Sequence, residues 1–205
     1  MGSADLDTEI IVVNDGSTDG TLKRIKEYKT KKIKLINKTT NRGKGAAIRE
    51  AFKQVTGQVI VIQDADLEYN PDDYKLLLEP ILQNKAEVVF GSRFGSGLAH
   101  RVLYFWHYMG NKLLTFLTNL VTNLNLSDME TCYKAFTKDV ARSLNLQENR
   151  FGFEPEFSIK VAKMGVRIYE VGISYSGRSY NEGKKINWKD GLWALWCIFK
   201  YGFWK

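Results

Sequence analysis

Between Glu9 and Phe90, four short apolar or β-branched runs alternate with stretches at helical spacing. This alternation restricts the chain more than any other feature. The runs are Glu9–Asn14 (EIIVVN), Lys32–Asn37 (KIKLIN), Gln58–Gln63 (QVIVIQ) and Glu87–Phe90 (EVVF). Between them, helices are expected over Thr21–Lys29, with Leu22 and Ile25 inward, over Ala46–Gln54, and after Pro71. Strands and helices in turn predict a doubly wound α/β fold, a mostly parallel sheet flanked by helices. QVIVIQ is apolar almost throughout, the pattern of a strand buried on both faces. In such sheets ligands lie beyond the carboxyl ends of the strands.

Acidic residues collect at those ends. Asp15 follows the first run, and Asp64-Ala65-Asp66 follows the third. Two carboxylates one residue apart at a strand end can reach one divalent cation, which takes oxygen ligands and bridges phosphate oxygens. The same letters also serve as turn or helix-cap residues. Asp15 is open to two roles, a cap on the helix near Thr21 or an acceptor for a nucleobase or ribose; Ser17, Thr18 and Asp19 are further cap candidates. The loop Asn41–Ala47 carries Arg42, Lys44 and two glycines at a helix start, which suits anions. It lacks the P-loop spacing. Arg93 follows the fourth run, Asp128 and Glu130 are candidate general bases or caps after a long apolar segment, and Arg178, Lys184 and Lys185 form a basic loop.

The chain has 205 residues and a net charge of +7. That excess suits nucleic acid, phosphorylated ligands or an anionic membrane and does not choose among them. Cys132 and Cys197 stand in no metal-ligand spacing and are expected to be packing residues in a reducing compartment. No signal peptide is visible, and no apolar run reaches the roughly 18 residues that span a bilayer. From Arg101 to Leu124 apolar residues recur at helical spacing in a stripe wider than one core contact requires, and the last 18 residues hold four of the five tryptophans. Two readings of that C-terminal segment stand: a buried helix, or an interfacial one with Trp at headgroup depth and Lys on anionic lipid.

In order, IIVVNDGSTDGT, NRGKGAAIREA, QDADLEYNP, VVFGSRF, LSDMETCYKAF, FGFEPEFSIKVAKMGVRIYEV and GRSYNEGKKINWKDG resemble the family 2 glycosyltransferases, in particular their polyprenyl-phosphate glycosyltransferase and dolichol-phosphate mannose synthase branch. The resemblance runs from about Glu9 to the C-terminus. It implies an A-type glycosyltransferase fold and inverting transfer of a sugar from a UDP- or GDP-linked donor to a polyprenyl or dolichyl phosphate. Carried over, Asp15, Lys44, Asp64, Asp66 and Arg93 bind the donor, Asp64 and Asp66 hold Mg²⁺ or Mn²⁺, and Asp128 is the catalytic base. Arg101, Arg178, Lys184 and Lys185 hold the acceptor phosphate. The implied organisation is a catalytic domain over 1–187, containing an amphipathic helical segment over 101–126, and an aromatic-basic interfacial helix over 188–205. The implied place is peripheral, on the cytoplasmic face of a membrane. The family opens with an apolar strand ending in a Pro-x-Tyr-Asn-Glu-like motif. That first strand is expected to be missing here.

Two other functions fit part of the pattern. A sugar-nucleotide nucleotidyltransferase shares a sheet of this kind and metal-binding aspartates, but the Asp128 segment and the lipid-like helices favour the transferase. A basic nucleic-acid-binding module would use the tail aromatics for stacking, yet no nucleic-acid motif is present, and nucleic acid is not expected as a partner. Oligomeric state is not readable.

Overall fold

The computed structural model describes residues 7–28, 32–95, 101–102, 104–179, 182 and 188–204. Strands β1 (Ile10–Asp15) and β2 (Ile33–Lys38) pair in parallel, with Ile10 opposite Ile33 and Asp15 opposite Lys38. A second ladder has the order β3-β5-β4-β6, formed by Val59–Val61, Lys134–Thr137, Val88–Ser92 and Ile168–Gly172. Among the described residues, β1 and β3 share no ladder. They are tied at their starts by Glu9, which accepts from the amides of Thr56 and Gly57 just before β3.

The four strands read from the first half are all present. The sheet is mostly parallel, as expected, and is mixed only through β5, which runs antiparallel to both β3 and β4. The reason lies in the connection. After β4 the chain stays at the carboxyl edge through helix α4 (Phe105–Thr122) and the 126–133 segment, so it re-enters the sheet from the edge it left.

Helices α1 (Thr21–Glu27), α2 (Lys44–Phe52) and α3 (Tyr74–Leu82) follow β1, β2 and β3. On α1, Leu22 and Ile25 are half-buried. Two further helices, α5 (Lys138–Ser143) and α6 (Phe153–Lys163), flank the loop 144–152. The last helix, α7 (Trp188–Phe199), ends in a π-helical turn at Lys200–Trp204. The core forms where β4 and β5 meet α6: Val88, Val89, Phe90, Phe136, Phe153 and Phe157 are fully buried, and the rings of Phe136 and Phe157 pack 5.1 Å apart at a tilt of 52°. Truncating one such Phe to Ala typically costs about 3–5 kcal/mol. Cys132 and Cys197 are buried and unpaired, which agrees with packing roles.

Helices α4 and α7 pack on α6 and on each other, and each has two unlike faces. Ala194, Cys197, Ile198 and Tyr201 of the C-terminal segment enter the core. The opposite faces expose Trp106 (81%), Phe116 (62%), Leu120 (70%), Trp188 (71%) and Phe203 (69%) to solvent. No described helix is long and apolar enough to cross a membrane.

Candidate active site

Charged side chains collect beyond the carboxyl ends of β1, β3, β4 and β6. Asp15 closes β1. Its carboxylate accepts from the amides of Arg42 (3.0 Å) and Gly43 (2.6 Å) and lies 2.8 Å from the Lys38 ammonium. Burial opposes its charge, but Lys38 and those two amides outweigh burial and hold the carboxyl below its ordinary range. The approach needs Gly16, whose φ is +72° and where a Cβ would sit 2.5 Å from the Asn41 amide nitrogen. Of the two roles open to Asp15, capping α1 is excluded: Asp19 accepts from the first amide of that helix, and Asp15 braces the loop that starts α2.

Beyond β3, the two aspartates of Asp64-Ala65-Asp66 each meet a cation. Lys44 reaches Asp64 at 3.0 Å and Glu154 at 2.7 Å, while Arg178 reaches Asp66 at 3.0 Å and Glu68 at 3.0 Å. Burial disfavours the Lys44 charge, but Asp64 and Glu154 keep it protonated well above its ordinary value. Burial likewise opposes the charge on Asp64, and Lys44 overrides it, leaving that carboxyl lowered. Asp66 goes the other way: burial, then repulsion from Asp64 and Glu68, raises it despite the Glu68 amide and Arg178.

These two residues fit a divalent cation. They supply hard oxygen donors, and their mutual repulsion is the kind of excess negative charge that a cation relieves. Among the described residues no group of three His, Cys, Asp or Glu forms a closed cage. A cation here would complete its shell with phosphate oxygens and water, as Mg²⁺ sites commonly do.

Beyond β4, Arg93 is buried and grips Asp128 through Nε at 2.7 Å, Nη2 at 2.7 Å and the backbone amide at 3.0 Å. Arg93 therefore faces the proposed base, not an open phosphate site. Asp128 is fully buried, and its segment is clamped from α4. Lys112 donates to the Ser127 carbonyl, Thr115 accepts from the Met129 amide, and Asn119 bonds both polar backbone atoms of Leu126. Glu170 on β6 accepts from the amides of Ser127 and Asp128. Glu130, the other candidate base, has a buried oxygen with no hydrogen-bond partner among the described residues, and burial together with the Glu154 charge pushes its carboxyl up to about 7.

At the far side, Arg101 donates to the Gly177 carbonyl (3.0 Å) and to Glu182 (2.8 Å), which puts it beside Arg178. Lys184 and Lys185 lie outside the described residues. The structure thus pairs Lys44 with Asp64 and Arg178 with Asp66 at one edge, and adds Glu154 to the first pair and Glu68 to the second. Neither glutamate was singled out from sequence. Glu68 stands two residues after Asp66, and Glu154 lies in the quoted FGFEPEF stretch, but nothing local marks either as the partner of a distant cation.

Residues 3–144 match the family profile described as Glycosyl transferase family 2. The chain belongs to glycosyl transferase family 2. A relative named dolichol-phosphate mannosyltransferase, from Pyrococcus furiosus, is 28% identical over 87% of this chain and 51% of its own length. A dolichyl-phosphate β-glucosyltransferase of Trichomonas vaginalis is 31% identical over 82% of this chain and 52% of its own. The chain thus spans about half the length of these relatives. The fold is shared with a Mycobacterium tuberculosis glucosyl-3-phosphoglycerate synthase, crystallised with Mn²⁺, uridine diphosphate and phosphoglyceric acid. That structure has a TM-score of 0.71 at 16% identity, over 95% of this chain and 68% of that one. The mixed sheet with flanking helices is therefore an A-type glycosyltransferase fold.

Proposed function

We propose that the protein transfers a sugar from a nucleoside-diphosphate donor to a polyprenyl phosphate, with inversion, at a membrane surface. The observation that carries this is the pairing of Asp66, in the Asp64/Asp66 pair, with Arg178 beside Arg101 at one sheet edge, in a molecule whose helices α4 and α7 expose apolar outer faces. A divalent cation at Asp64 and Asp66 supplies charge stabilisation for the departing diphosphate. Mn²⁺ in the fold neighbour and the lipid phosphates in the relatives' names support the same reading.

The chain's own residues do the rest. Asp15, fixed by the α2 loop, lies where the nucleoside enters. Lys44 holds Asp64 ionised and oriented. Arg178 and Arg101, with Lys184 and Lys185, take the acceptor phosphate, whose oxygen is ionised near neutral pH and needs little help from a base. Positioning therefore contributes more than proton removal. Asp128 is the residue we assign to that positioning and to any proton the acceptor carries, and Arg93 sets its orientation. The exposed apolar faces of α4 and α7 support a peripheral posture on the cytoplasmic face, with the site at headgroup depth.

The test is transfer from labelled UDP- and GDP-sugars in Mn²⁺ to undecaprenyl or dolichyl phosphate in vesicles, read as label extracted with the lipid. Lipid-borne label, lost in EDTA, is expected. Label transferred only to a soluble phosphorylated acid such as phosphoglycerate would refute the lipid acceptor.

A further inference from the structure

Glu148 lies on the loop between α5 and α6, outside every residue assigned to the chemistry above, and it is nearly inaccessible to solvent. Its carboxylate accepts three hydrogen bonds, all from the C-terminal segment: Trp193 Nε1 at 2.8 Å, Lys200 Nζ at 2.9 Å and the Tyr201 hydroxyl at 2.8 Å. Burial opposes its charge, but these donors prevail and keep it ionised below the ordinary range. The amides of Gln147 and Glu148 are held in turn by Glu156, at 2.7 and 2.8 Å.

The other side of the same loop touches the start of α2. The Glu148 carbonyl and the Asn149 side chain both accept from Arg49, and the Asn149 carbonyl accepts from the Ala46 amide at 3.0 Å. The fit is close. A Cβ on Gly45 would lie 2.2 Å from the Glu148 carbonyl oxygen, and one on Gly43 2.6 Å from that of Asn149. Residues 148–149 are therefore a wedge between α7 and the Gly43–Gly45 loop, and Lys44 within that loop reaches Asp64.

We propose that Glu148 is a positioning residue for the donor. Through Arg49 and the two glycine contacts, its seat on α7 fixes where Lys44 meets Asp64, so donor affinity depends on the packing of the C-terminal helix. The proposal rests on reading Lys44 and Asp64 as donor-binding, and it deepens that reading. It also predicts linkage. Anything that shifts α7, a lipid surface included, changes nucleotide affinity, and nucleotide changes the affinity for that surface by the same factor.

Titration calorimetry of UDP and GDP in Mn²⁺, on the whole chain, tests this under conditions where urea unfolding shows each variant folded. Glu148→Ala is expected to weaken nucleotide binding on the order of tenfold. Glu148→Gln keeps one acceptor oxygen, enough for Trp193 or for Lys200 and Tyr201 but not for both sides, and recovers part of the loss. Val140→Ala, a buried position on α5, serves as a control that lowers stability without touching the wedge, and its affinity should match wild type. Should Glu148→Ala fail to fold, Trp193→Phe removes one donor and keeps the ring, with an expected loss of a few-fold. Wild-type affinity in folded Glu148→Ala, or in Trp193→Phe where Ala does not fold, would overturn the proposal alone. A wild-type chain that binds neither nucleotide would overturn the donor reading beneath it.

Discussion

At Asp128 the buried carboxylate and the Arg93 guanidinium answer each other's charge, so removing one strands the other. Breaking a buried pair of this kind costs about 3–5 kcal/mol. Asp128→Asn should lose stability of that size in urea unfolding, beyond the roughly 10²–10⁴-fold fall in turnover expected for a residue that assists the acceptor. A variant as stable as wild type would show that the pair is not closed in solution. Glu130 behaves differently, because its carboxyl is raised to about 7, while an unfolded Glu titrates near 4.3. Between those values the native state holds a proton that the unfolded chain has lost. Stability should therefore fall as pH rises from about 4.5 to about 7 and level off above. Glu130→Gln abolishes that decline, matching wild type near pH 4 and exceeding it at pH 8. Parallel stability curves for the two proteins would contradict the assignment.

Among the elements, legibility in the sequence followed whether a strand carried its own signal. β1 to β4 are β-branched runs, and their observed bounds lie within a residue or two of the expected ones. β5 and β6 were not recognised as strands, and each contains a charge: Lys134, fully buried, and Glu170. Lys134 is held by Glu154 and by the Thr131 carbonyl, and Glu170 by the amides of Ser127 and Asp128. No local pattern reports partners that far along the chain. For α4, the sequence showed too many apolar residues for one face, and the structure sorts them. Leu114, Leu117 and Val121 pack inward, whereas Trp106, Phe116 and Leu120 point out. Replacing those three outward residues together by Ser should leave thermal stability nearly unchanged and abolish flotation with anionic vesicles. Unfolding, or undiminished flotation, would remove α4 from the lipid surface. Thr115→Val, on the inner face, should instead cost about 1–3 kcal/mol by leaving the Met129 amide unpaired.

For the molecule as a whole, the edge that carries the candidate site was legible because strand ends and acidic residues coincide in order along the chain. The sequence did not reveal how the charges compensate there. Lys44 lies between Asp64 and Glu154, and Arg178 between Asp66 and Glu68; such pairings depend on the folded sheet. They also define what a cation would change, since Asp64 and Asp66 are now balanced by side chains that a metal-bound diphosphate would meet. The most direct measurement is calorimetric titration of UDP and GDP into the protein, in Mn²⁺ and in EDTA, alongside Asp66→Asn. The account predicts binding of one nucleotide that needs Mn²⁺ and disappears in a folded Asp66→Asn protein. Equal affinity with and without the metal, or unchanged affinity in Asp66→Asn, would contradict it.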